Sequence, residues 1–71
     1  MKMSSENNAS FDYSKKIKEI REELLISQSD LAKMLGVSFA TVNRWENGHH
    51  EPTLSAKRAL KSICKKNHIS W

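Results

Sequence analysis

One cysteine, one proline and two glycines are all that the 71-residue chain holds of the residues that most constrain or loosen a backbone. The single thiol, Cys64, cannot form an intramolecular disulfide, so no bridge framework staples the fold, and the usage fits a reducing compartment. So little Gly and Pro leaves few turn signals for a strand-rich architecture and favours helices joined by tight corners. Long apolar runs are missing too. The longest, Leu24-Leu25-Ile26, is far short of the ~20 residues of a membrane span. Met1 to Ser10 carry no apolar core behind their lysine, so the N-terminus does not read as a signal peptide. The expectation is a soluble cytoplasmic protein with no membrane partner.

Catalytic and metal-binding signatures are also lacking. There is no Gly-rich phosphate loop, no acidic cluster and no Ser/His/Asp set in a recognisable context, and so short a chain has little room for a ligand pocket of typical volume. His49, His50, Glu51 and Cys64 are potential metal ligands. Adjacent loop histidines point apart, however, and structural zinc sites need paired Cys or His motifs at set spacing. No enzyme, metal, cofactor or small-molecule ligand is expected, and Cys64 reads as a small core residue.

What is present is positive charge and helical periodicity. Twelve Lys and Arg against eight Asp and Glu leave a formal charge of +4. Beyond Thr53 the basic residues Lys57, Arg58, Lys61, Lys65 and Lys66 have no acidic counterpart. Uneven basic charge suits a polyanion, with nucleic acid the commonest, although a lysine-rich helical face also serves solubility alone.

Residues 1–13 lack periodicity and are rich in Ser, Asn and Glu, which predicts a flexible N-terminal arm; Phe11 and Tyr13 are placed to fold back. Residues 14–71 read as one domain. Ile17, Ile20 and Leu24 make a single apolar stripe on a first helix from about Ser14 to Leu25. Ser27-Gln28-Ser29-Asp30 is a capping box with Asp in place of Glu and opens a second helix with a core face of Leu31, Ala32 and Leu35. Gly36 ends it, and Ser38 caps a third helix almost at once, so the two must meet at a steep angle. That helix runs to Asn47 and closes at Gly48. After a polar loop, Thr53 caps a fourth helix whose inward face is Ala56, Leu60, Ile63 and Cys64.

Two short helices around a glycine corner form a helix-turn-helix unit. At 100° per residue, Val42 and Trp45 face one side of the third helix with Glu46 at the edge. Phe39, Ala40, Asn43 and Arg44 occupy the opposite arc. Such an arc matches base edges: Arg grips guanine, Asn grips adenine, and Ala or Phe meets a thymine methyl. A merely solvated face would carry more Lys and Glu and would seldom expose Phe. Phe39 has an alternative role as a lid on the domain's own core, and Trp45 belongs with the core.

Residues 27–38 (SQSDLAKMLGVS) and 41–48 (TVNRWENG) resemble the Cro/phage-repressor (XRE) helix-turn-helix family over about residues 14–66. The resemblance implies a lambda-repressor-like all-α bundle of four or five helices. It implies sequence-specific binding of double-stranded DNA in repressor-type transcriptional control, with the protein near the nucleoid. It places Phe39, Ala40, Asn43 and Arg44 on bases and Gln28, Ser38 and Thr41 on phosphates. Lys57 and Arg58, from the basic fourth helix, are expected on phosphates as well. An internal salt bridge between Arg21 and Glu46 is a further implication; the alternative is two ordinary surface charges. Family members usually add a fifth helix, often used for dimerisation, whereas this sequence stops at Trp71, so a homodimer on DNA stays open. The competing readings are a protein-interaction module on the same fold and a targeting domain of a larger protein.

Overall fold

Every helix begins where a short polar side chain can take up an otherwise unpaired amide. In the computed structural model, which describes residues 11–71, the helices are α1 (Tyr13–Leu24), α2 (Gln28–Leu35), α3 (Phe39–Glu46) and α4 (Leu54–Lys66). Their caps Asp12, Ser27, Ser38 and Thr53 accept from the amides of Lys15, Asp30, Thr41 and Ala56. The Ser27–Asp30 box is reciprocal, since the Ser27 amide donates to Asp30 at 3.1 Å. No strand occurs among the described residues. The architecture is an all-α helix-turn-helix bundle, with four helices and no fifth among those residues.

The helices also end alike. Leu25, Gly36, Gly48 and His68 all adopt left-handed backbone (φ 58°, 70°, 75° and 58°). The amide that follows each bonds five residues back: Ile26 to Arg21, Val37 to Ala32, His49 to Arg44 and Ile69 to Cys64. This closes the last turn and satisfies its carbonyls. The two glycines take this conformation at no steric cost, whereas Leu25 and His68 take it against their Cβ atoms.

The core draws on all four helices: Ile17 and Ile20, Leu31 and Ala32, Val42 and Trp45, and Ala56, Leu60 and Cys64. Leu24, Leu35 and Ile63, expected on inward faces, are half-buried at its margin. Each fully buried aliphatic side chain contributes about 1.5–3 kcal/mol, which lets so small a domain hold α2 and α3 at a fixed angle. Burial also pushes the Cys64 thiol above its ordinary range, as suits a packed, unreactive cysteine.

The two ends of the described chain meet, and on the N-terminal side Phe11 and Tyr13 fold back as their placing anticipates. Residues 1–10 of the expected arm lie outside the described residues. Residues 11–13 belong to the packed unit: Asp12 caps α1, which starts at Tyr13 rather than Ser14. Phe11 meets Tyr13 edge-on at 4.7 Å and stacks on Trp71 at 5.4 Å with 10° between planes. The C-terminal residues fold back to make this contact. Lys16 is buried beneath them, donating to the Ser70 carbonyl at 2.6 Å and lying 5.6 Å from the Trp71 ring centre.

Candidate nucleic-acid interface

The face presented by α3 follows from what its other side must bury. Val42, Trp45 and Glu46 are inside, at 0%, 3% and 4% exposure. Helical geometry therefore turns Phe39, Ala40 and Arg44 outward, with Asn43 half-buried beside them. Phe39 is 52% exposed, so it does not act as a lid on the domain's core.

At the N-terminus of α3, Ser38 Oγ accepts from the Thr41 amide at 3.1 Å and lies 2.8 Å from the Thr41 hydroxyl. Both hydroxyls sit where the helix dipole and its first amides favour an anion. One turn before the C-terminus, Asn43 Oδ1 accepts from Asn47 Nδ2 at 2.7 Å. In the sequence Asn47 ends this helix and lies within the WENG motif, with no functional role expected of it.

Beneath this face the structure brings Arg21 and Glu46 together. The guanidinium forks onto the carboxylate, Nε to Oε2 at 2.5 Å and the terminal nitrogen to Oε1 at 2.8 Å. Arg21 also donates to the Ile26 carbonyl at 3.3 Å. Gln28, expected on a phosphate, donates its amide to Glu46 Oε1 at 3.0 Å. Gln28 is thereby tied into the internal network, keeping its second N–H and its carbonyl for anything outside. Burial works to raise the Glu46 carboxyl, but the bonds from Arg21 and Gln28 prevail and hold it below the usual carboxylate range. The same pairing raises the Arg21 pKa. The network joins α1, the start of α2 and the last turn of α3, fixing the angle at which α3 leaves the domain.

The basic flank is less uniform than its sequence suggests. Lys57 Nζ pairs with Glu51 and lies 4.9 Å from the Tyr13 ring centre. The Glu51 carboxylate raises the Lys57 pKa above its ordinary value. Arg58 is exposed and makes no ion pair among the described residues. Lys61 lies over the Trp71 ring at 5.4 Å. His49, His50 and Glu51 are exposed while Cys64 is buried. Among the described residues no three His, Cys, Asp or Glu side chains converge to hold a metal, and no helix is long and apolar enough to cross a membrane.

A family model described as helix-turn-helix matches residues 17–70, nearly the whole described domain. The chain belongs to the helix-turn-helix family, in its Cro/phage-repressor (XRE) branch. A similar protein of Archaeoglobus fulgidus, provisionally named an HTH-type transcriptional regulatory protein, is 46% identical over 50 residues. That match covers 70% of this helix-turn-helix chain and 16% of the relative, so the chain spans only a small part of the relative's length. No solved structure matches the chain. Within the helix-turn-helix unit, α2 and α3 are the paired helices, and residues 36–38 form the corner between them.

Proposed function

We propose that this helix-turn-helix protein binds double-stranded DNA sequence-specifically, sets α3 into the major groove and acts in transcriptional control as a repressor-type regulator. The observation that carries the reading is the exposed arc of α3, on which Phe39, Ala40, Asn43 and Arg44 face away from a core built by the opposite side of the same helix. In this reading Arg44 forks onto a guanine, Asn43 contacts a purine edge, and Ala40 and Phe39 meet thymine methyls. The hydroxyls of Ser38 and Thr41 and the spare N–H of Gln28 take phosphate oxygens at the helix ends that favour anions. Arg58 adds a sequence-independent phosphate contact. Lys57 adds another by exchanging its exposed Glu51 partner for a phosphodiester, an exchange favoured because a solvated ion pair contributes little. The salt bridge of Arg21 and Glu46 does not touch DNA; it holds α3 at its exit angle.

The test is selection of bound duplexes from a random library. The proposal expects one enriched motif. Two-fold symmetry in that motif, with half-sites ~34 Å apart, means a homodimer on DNA, and an asymmetric motif means a monomer. Enrichment of no sequence, with binding that depends only on salt, would remove the base-reading role. No binding at all would favour a protein-interaction module on the same fold.

A further inference from the structure

We propose that Asn47 is a positioning residue that fixes which atoms of the Asn43 amide face the DNA, so that the two asparagines read one base pair as a unit. The inference rests on the reading that α3 enters the major groove.

An asparagine amide presents either an acceptor oxygen or a donor NH2, and the choice decides which base edge it suits. The terminal torsion of asparagine is broad, so an isolated Asn43 would offer both ends. Asn47 biases that choice. It stands four residues on, on the same helix face, and its Nδ2 donates to Asn43 Oδ1 at 2.7 Å. With the oxygen held along the helix, Nδ2 of Asn43 and its two hydrogens turn to the open side. The unit then suits a base edge that offers an acceptor, purine N7 above all. Adenine adds a second bond, from its N6–H to the remaining lone pair of Oδ1. The amide is set before DNA arrives, which spares the entropy of choosing an orientation on binding.

The C-terminus of α4 supports the assignment of donor and acceptor. Asn67 caps α4 as Asn47 caps α3, with similar backbone angles (φ −105°, ψ 11° against φ −87°, ψ 2°). Asn67 also turns its Nδ2 back one turn and donates to the Ile63 carbonyl at 2.9 Å. A capping asparagine in this conformation thus reaches back as a donor. In α4 the residue one turn earlier is an isoleucine, which has no side-chain acceptor. In α3 it is Asn43, and the amide goes to that side chain instead.

The experiment compares the full chain with Asn47→Ala, Asn47→Asp, Asn43→Ala and the Asn43→Ala/Asn47→Ala double variant in duplex selection and in titrations of matched and mismatched sites. Asn47→Ala is expected to lower discrimination at one base pair about fivefold, the equivalent of one neutral hydrogen bond, and to leave other positions unchanged. Asn43→Ala should abolish preference at that base pair, and the double variant should match it. Asn47→Asp supplies a group that only accepts. Asn43 must then turn its NH2 inward and its oxygen outward, moving the preference toward a base that offers a donor, such as cytosine through N4–H. The added negative charge weakens all duplexes alike, so relative preference is the readout. In the free chain, NMR should find a side-chain amide proton of Asn47 protected from exchange, with the protection lost in Asn43→Ala. Unchanged preference in Asn47→Ala and Asn47→Asp, or an Asn47 amide indifferent to Asn43→Ala, would overturn the proposal while the DNA reading stands. A protected Asn47 amide in a chain that selects no motif would overturn the DNA reading, and base selection by the pair with it.

Discussion

Replacing Arg21 by alanine is expected to destabilise the fold more than replacing Glu46, although both changes break the same ion pair. The asymmetry comes from what each leaves behind. The Glu46 side chain is 3% exposed and that of Arg21 is 22% exposed. Without Arg21, a carboxylate stays buried with only Gln28 to satisfy it, and the loss should approach the ~3–5 kcal/mol of a broken buried pair. Without Glu46, the stranded guanidinium reaches water and keeps its bond to the Ile26 carbonyl, and Gln28 is half-exposed, so about 2 kcal/mol is lost. A domain of this size has roughly 4–10 kcal/mol in total, so either change is readily measured by urea unfolding. The double-mutant cycle should return a coupling of about 1.5–3 kcal/mol. The pH dependence follows from the lowered Glu46 pKa. A carboxyl lowered in the folded state contributes stability that is fully present above its unfolded value, near 4.5, and is lost as pH falls through the lower folded value. In Arg21→Ala burial, the Gln28 bond and the charge of Lys18 remain, with burial the largest influence, so acidification should relieve the carboxylate instead. Coupling below about 0.5 kcal/mol, or equal losses from the two single changes, would refute the reasoning and mark both residues as ordinary surface charges.

Leu25→Gly should raise stability by about 0.5–1 kcal/mol, because Leu25 is 90% exposed in left-handed backbone and gives up little packing; thermal melting should shift up by about 4 °C. Gly36→Ala, at φ 70°, should move the melt the other way by a similar amount. Trp71→Ala removes the Phe11 stack and two cation–ring contacts and should cost about 1–3 kcal/mol, with faster amide exchange at the N-terminus of α1; unchanged exchange there would show that the tail holds nothing. Glu51→Gln releases Lys57 from its carboxylate, and should tighten binding to every duplex and steepen its salt dependence, read by titration across salt concentrations.

The parts legible in the sequence are those set within a turn or two of helix. Ser27, Ser38 and Thr53 announce helix starts because the amide they satisfy lies three residues on, and Gly36 and Gly48 announce ends because the left-handed turn is local. The 3.6-residue repeat then separates Val42 and Trp45 from Phe39 and Arg44 without reference to any other element. The outward arc of α3 needed nothing more. What stayed hidden depends on chain ends meeting or on a choice between partners. Lys16 looks solvated until Ser70 and Trp71 fold over it, and no periodicity records that contact. Leu25 and His68 take the conformation usually left to glycine, so the closing turns of α1 and α4 carry no glycine signal. Gln28 and Lys57 have the right chemistry for phosphates, yet Glu46 and Glu51 compete for them, and composition does not say which carboxylate lies nearer. The cap of α1 was missed because Asp12 and Ser14 are both good caps within one turn, and Asp12 takes the Ser14 hydroxyl as well as the Lys15 amide.

The central claim is that the open face of α3 reads bases while the flank of α4 holds only backbone. Titration of Arg44→Ala and Arg58→Ala against the selected duplex and its single-base variants, at several salt concentrations, tests it most directly. Arg44→Ala should cost about 1–3 kcal/mol on the preferred duplex and relax discrimination at one base pair. Arg58→Ala should weaken all duplexes nearly equally and flatten the salt dependence by about one unit. If Arg44→Ala instead weakened every duplex alike and left the motif intact, Arg44 would be a phosphate clamp and the base-reading face would lie elsewhere.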